Sequence, residues 1–170
     1  LPAEPVQNKL LLSSKVRSIF PSGGTEIYQG LNAAYKQMIQ YPLEHYTNHL
    51  ILLTDGHTYG DAEECLALAQ KAADRGIGMS GFGIGSEWND QFLDKLVAPS
   101  GGQSGFIETP AHVITFLQKR IKGLGKLYAQ NAYLVNDFPK SMRITQAFKM
   151  QPFAQPLEMT DDRIKLGDIE

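Results

Sequence analysis

Four consecutive apolar residues, Leu50-Ile51-Leu52-Leu53, run straight into Thr54-Asp55-Gly56, and few folds accommodate that join. An apolar run with no alternating polar position reads as a strand buried on both faces, the pattern of a parallel sheet covered by helices. A carboxylate and a turn glycine follow at once, so the strand ends there. In open parallel sheets, ligands bind just beyond the carboxyl ends of the strands. Asp55 is therefore the first residue of which to ask chemistry.

The flanking segments fit such a sheet. Residues 8–20 set Leu11, Leu12, Val16, Ile19 and Phe20 on one helical face, and Pro21-Ser22-Gly23-Gly24 breaks that pattern. From Thr25, Ile27, Leu31, Ala34 and Met38 recur at helical spacing. Asp61 with Glu64 three residues on reads as a capping box, opening a helix that runs to Asp74 and closes at Gly76. A glycine-rich strand is expected at 77–84, a short helix capped by Asn89 up to Val97, and a strand at 105–108. Thr109-Pro110 then starts a helix to Leu127.

Strand–helix alternation of this kind predicts an α/β fold, a Rossmann-like parallel sheet with flanking helices. After Leu127 the helical period vanishes, and 128–135, 142–150 and 163–166 read as short strands. The expected organisation is an α/β domain over 1–127 and the start of a β-rich domain or extension over 128–170.

Composition narrows the function classes. A net charge of -2 with no basic run gives no electrostatic case for nucleic acid. No apolar stretch approaches the roughly 18 residues that span a bilayer. Cys65 is the single cysteine, which rules out an internal disulfide or a multi-cysteine zinc site; its Ala/Leu-rich surroundings make it a small core residue. No serine–histidine–acid arrangement stands out, so the chain is expected not to be an enzyme. Leu1 and the closing Gly167-Asp168-Ile169-Glu170 both read as cut ends, and the chain is expected to be an excerpt of a longer protein. Its compartment is unknown.

Two stretches carry the chemistry together: Ser22-Gly23-Gly24-Thr25-Glu26-Ile27-Tyr28-Gln29-Gly30-Leu31, and Ile51-Leu52-Leu53-Thr54-Asp55-Gly56. A hydroxyl at a helix start and a carboxylate at a strand end are hard oxygen donors, suited to Mg²⁺ or Ca²⁺. Taken singly, each has a plainer reading: Thr25 as a helix cap, Asp55-Gly56 as a turn. His45, His49 and His57 suggest zinc less well than they suggest surface histidines. Gly81-x-Gly83-x-Gly85 lacks the full dinucleotide fingerprint. Trp88 with Phe92 reads as packing over the sheet end rather than as an exposed recognition pair.

The two stretches in this order, Gly-Gly-Thr-x-Ile-x-x-Gly-Leu and then a strand ending Leu-Leu-Thr-Asp-Gly, resemble the von Willebrand factor type A domain. The glycine-rich strand ending at Gly85, and the 89–97 helix followed by Ser100-Gly101-Gly102, fit the same family. The resemblance implies a metal-ion-dependent adhesion site, in which three loops hold a divalent cation and a partner's acidic side chain completes its shell. By that resemblance Thr25 and Asp55 are metal ligands, Gly24 and Gly56 support their loops, and the ion is Mg²⁺, with Mn²⁺ or Ca²⁺ as substitutes.

The family's remaining loop, Asp-x-Ser-x-Ser, does not occur in these residues. It and the strands around it are expected upstream of Leu1. Without them the Leu50–Leu53 strand has an unpaired edge, which predicts a dimer or strand swap through that edge. The function implied is non-catalytic protein interaction or adhesion. The alternative is a regulatory or assembly domain of an ATP-driven complex such as a metal chelatase.

Overall fold

The computed structural model describes residues 5–20, 26–54, 58, 60–85, 89–125, 128–135, 137, 139, 141–150, 154–160 and 162–169. Three strands, β1 (His49–Thr54), β2 (Gly78–Ile84) and β3 (Ser104–Ile107), form a parallel sheet in the order β1-β2-β3. Leu50 lies beside Met79 and Thr54 beside Gly83, while Gly81 lies beside Ser104. Helix α1 (Lys9–Arg17) and helix α2 (Ile27–Met38) precede β1, and α3 (Ala62–Asp74) joins β1 to β2. Helix α4 (Asp90–Val97) and a 3₁₀ turn (Ala98–Ser100) join β2 to β3, which α5 (Pro110–Leu124) follows.

The helices form where local chemistry places them. Asn89 accepts from the Phe92 N–H at 3.0 Å and starts α4, as its position predicts. Pro110 opens α5, although the Thr109 side chain makes no capping bond. Ile27, Leu31 and Tyr35, four residues apart, make the buried stripe of α2, with Ala34 and Met38 packed at its margin. Helix α1 stops at Ser18, short of Phe20, and buries none of its residues; its expected apolar face is exposed.

The core lies between the sheet and α2, α3 and α4. Cys65, Leu68 and Ala72 of α3 meet Leu93, Leu96 and Val97 of α4 and Met79 of β2. Gly81 lets α4 approach the sheet, since a Cβ there would come within 3.1 Å of Leu93 Cδ2. Phe82 is fully buried, with its ring 4.1 Å from that of Phe116 in α5.

Two expectations need correction. Leu50 is buried, but Ile51, Leu52 and Leu53 are only half-buried. Among the described residues β1 is an edge strand, paired with β2 alone, so its apolar run faces an open groove on one side. In the C-terminal part, β4 (Ala129–Val135) pairs antiparallel with a strand over Arg163–Ile169, as expected. The strand expected at 142–150 shrinks to β5 (Phe148–Lys149), paired with β6 (Gln155–Pro156); Arg163–Ile169 is therefore β7. Met142, Phe148 and Met150 are all exposed, so among the described residues their spacing has no opposing layer to bury against.

Candidate functional site

The carboxyl ends of the parallel strands carry the candidate site. β1 ends in Thr54, which is buried, and β2 leaves through Ile84 to Gly85, whose positive φ of 81° turns the chain away. Beside β1 runs a groove of about 640 Å³. Glu26, Gly30 and Ala34 of the α2 side line it, with Leu52 and Thr54 of β1 and Ile84 of β2.

Thr25, Gly24, Asp55, Gly56 and His57 lie outside the described residues. Their neighbours do not. Glu26, which follows Thr25, and Thr54, which precedes Asp55, both line this one groove. Each ligand candidate is thus one peptide unit, about 3.8 Å between Cα atoms, from its wall.

Asp61 joins the same two segments directly. Its Oδ2 accepts from the Tyr28 N–H at 2.7 Å, across 33 residues of chain. Glu26 stands at the N-cap of α2 but makes no side-chain cap, so Asp61 satisfies an amide that the helix start leaves bare. A carboxylate there also opposes the positive end of the helix dipole. This corrects the capping-box reading: Asp61 is the N-cap residue of α3, yet its side chain makes no bond to α3. Spacing alone cannot tell which helix a carboxylate caps, so no sequence signal separates the two cases.

The other oxygen of Asp61, Oδ1, is buried with no hydrogen-bond partner among the described residues. An unsatisfied buried carboxylate oxygen makes this corner of the fold electronegative. The same carboxylate acts on Cys65, four residues on. Burial first, then the charges of Asp61 and Glu64, push its thiol up to about 12. Cys65 is wholly buried and protonated at neutral pH, a packing residue rather than a nucleophile.

Of the remaining sequence candidates, His45, His49 and Phe92 fall among the described residues. His49 Nε2 lies 2.9 Å from the Ser80 hydroxyl of the neighbouring strand. Among the described residues no group of three His, Cys, Asp or Glu side chains is arranged to hold a metal ion. Phe92 is buried in the core, and Trp88 lies outside the described residues. A smaller hollow of about 380 Å³ between α3 and β7 has mixed charge, with Asp74, Glu158 and Asp162 facing Arg163 and Lys165. There the Arg163 and Thr160 hydrogen bonds hold the Asp162 carboxyl below its usual range.

Comparison with known proteins agrees with this architecture. The family model described as von Willebrand factor type A domain matches residues 3–120. The uncharacterized protein sll0103 of Synechocystis is 24% identical over 177 residues, covering 98% of this chain and 41% of that protein. Among solved structures, a von Willebrand factor type A protein from Catenulispora acidiphila superposes with a TM-score of 0.76 at 21% identity, over 97% of this chain and 40% of that one. The BatB protein of Bacteroides thetaiotaomicron superposes with a TM-score of 0.54 at 18% identity, over 68% and 69% of the two chains. These structural likenesses are likenesses of fold. The chain spans about two fifths of the curated relative it matches.

Proposed function

The chain belongs to the von Willebrand factor type A family, and we propose that it is a non-catalytic protein-interaction module that grips a partner's Asp or Glu through a divalent cation. The observation that carries this reading is the shared groove. The residue after Thr25 and the residue before Asp55 both line the one groove that runs along the open flank of β1 from Leu50 to Thr54. The donor set suits the ion, because a threonine hydroxyl and an aspartate carboxylate are hard ligands. The unpartnered buried oxygen of Asp61 adds negative potential near the start of α2. Mg²⁺ would keep a position open for an acidic side chain from outside, and Gly24 and Gly56 would let the ligand loops close on it.

One hydroxyl and one carboxylate hold Mg²⁺ weakly, since that ion gives up its water reluctantly. By the family resemblance, a serine-bearing loop would supply the remaining ligands. Calorimetric titration of Mg²⁺ and Mn²⁺ into this chain and into one extended upstream tests the proposal. Binding is expected in the extended chain only, with Asp55→Ala abolishing it. If the extended chain takes up neither ion, the cation-bridged reading falls.

The open edge of β1 supports a second element of the proposal. Main-chain groups on that edge, over an apolar groove, favour an added strand. This chain, of 18.8 kDa, is expected to sediment as a dimer, and the upstream-extended form as a monomer. Sedimentation of this chain at monomer mass would remove the idea.

A further inference from the structure

We propose that the hollow between α3 and β7 binds a small zwitterion of the free amino-acid class, whose carboxylate Lys165 receives and whose ammonium Glu158 receives. This site is separate from the groove beside β1, and the inference stands independently of the cation reading.

Strand register builds the hollow. Arg163 and Lys165 are two positions apart in β7, so their side chains leave the same face. Tyr133 of β4 lies beside Lys165. On the other flank of β7, the Lys165 N–H donates to the Glu158 carbonyl and the Thr160 N–H to the Arg163 carbonyl, both at 2.9 Å. Tyr133, Lys165 and Glu158 therefore form one cross-strand row, with Arg163 and Thr160 in the next. Gln70 and Asp74, at the end of α3, line the opposite wall.

Most polar groups there already have partners. The Asp162 carboxylate accepts from Arg163 Nη2 at 3.4 Å and from the Thr160 hydroxyl at 3.1 Å. Asp74 Oδ1 accepts from Gln70 Nε2 at 2.9 Å. Lys165 differs. It is only 7% exposed, and its Nζ stands 5.8 Å from the centroid of the Tyr133 ring. Among the described residues its ammonium makes no hydrogen bond and no ion pair. A buried cation without a carboxylate is costly, and a ring face offsets only part of that cost. Opposite charges on neighbouring strands ordinarily close on each other. Glu158 is exposed and lies directly across from Lys165, yet the two stay apart and both line the hollow.

That arrangement selects the ligand. A simple anion meets Lys165 but also the carboxylates of Glu158 and Asp74. A simple cation meets those carboxylates but also Lys165 and Arg163. An apolar molecule leaves Lys165 buried and unpaired. A zwitterion answers both charges, and the Tyr133 ring offers a surface to its remaining atoms. The volume of about 380 Å³ is at the small end for ligand pockets, which suits a single amino acid.

The test titrates this chain with each common α-amino acid, and with propionate, propylamine and inorganic phosphate, reading backbone amide shifts by NMR. At least one amino acid is expected to saturate the Tyr133, Glu158 and Lys165 amides with a Kd of about 1 mM or tighter. Propionate, propylamine and phosphate are expected to bind about tenfold or more weakly, since each forgoes one charge-assisted contact. Lys165→Met keeps the aliphatic stem and is expected to weaken the amino acid by about tenfold or more. Its urea midpoint should not fall, because an apolar side chain in place of a buried charge is often neutral or stabilising. Glu158→Gln, at an exposed position, is expected to weaken binding to a similar degree with the fold intact, and it decides the matter if Lys165→Met does not fold.

The proposal is overturned if no amino acid saturates these amides. It is equally overturned if propionate, propylamine or phosphate binds as tightly as the best amino acid, or if Glu158→Gln binds that amino acid as the wild type does.

Discussion

Replacing Gly102 with alanine is expected to cost about 3–4 kcal/mol, more than overpacking usually does and a large share of what holds a domain of this size together. A Cβ at this position would land well inside the van der Waals envelope of the Met79 carbonyl oxygen. That oxygen belongs to a central strand and cannot swing aside as a flexible side chain would. The crowding follows from how the chain leaves α4. Gly101 takes a positive φ of 62°, and the Gly102 N–H bonds back to the Val97 carbonyl at 3.2 Å. The Ser100 hydroxyl accepts from the Met79 N–H at 3.0 Å and lies 3.0 Å from the Val97 carbonyl. Ser100 and Gly102 thus occupy the flank of β2 just before β3 begins to pair at Gly81.

Two other glycines make the prediction specific. At Gly81 the nearest atom to an added Cβ is a leucine methyl at 3.1 Å, which can give a little, so alanine there should cost less. Gly30 lies inside α2 with nothing within 4 Å of an added Cβ, and alanine there should stabilise the helix by about 0.5–1 kcal/mol. Urea midpoints in the order Gly30→Ala, wild type, Gly81→Ala, Gly102→Ala are the expected result. A Gly102→Ala midpoint near wild type would show that the turn does not press on β2 as described.

How far the chain could be read beforehand depended on whether a signal was local. Asn89, Pro110 and Gly76 act on residues within one turn, and each marks a helix boundary where the sequence places it. The Leu50–Leu53 run located a strand of the parallel sheet, but its composition spoke of burial on both faces and not of which neighbours are present. Beside an open groove, half-burial is the outcome. The Asp61 pattern marks the start of α3 but not the partner of its carboxylate, because a capping pattern is local while that hydrogen bond is not. The apolar spacing around α1 and the pattern at 142–150 predict regular elements, and among the described residues no layer lies over either. Thr25 and Asp55 were legible as a pair only through a resemblance. What the fold adds is that Glu26 and Thr54, their immediate neighbours, line a common groove.

Gly167→Ala should loosen the antiparallel β4–β7 pair from the α/β layer while leaving that layer folded. Gly167 is buried in β7 with a positive φ of 76°, and Gly101, also left-handed, lies directly against it. A Cβ built on Gly101 would come within 2.5 Å of both the Cα and the N of Gly167, and one built on Gly167 would strike the Gly101 carbonyl. Two bare backbones therefore meet where β7 touches the turn after α4. Alanine at 167 adds about 1–3 kcal/mol of left-handed backbone strain and pushes the two segments apart.

The antiparallel ladder between β4 and β7 retains its own hydrogen bonds, and the Arg163 and Lys165 cations stay near the Tyr133 ring at 5.7 and 5.8 Å. The two-stranded sheet is thus expected to persist as a unit while its contact with the layer is lost. Hydrogen exchange read by mass spectrometry should show faster exchange over 163–169 and around Gly101, with α3, α4 and β2 unchanged. If exchange over 163–169 stays at the wild-type rate, the glycine pair is not what holds the β4–β7 sheet in place. If instead β2 and α4 lose protection together with β7, the C-terminal segment is part of the cooperative unit, and the Gly101–Gly167 contact stabilises the whole α/β layer rather than an appendage to it.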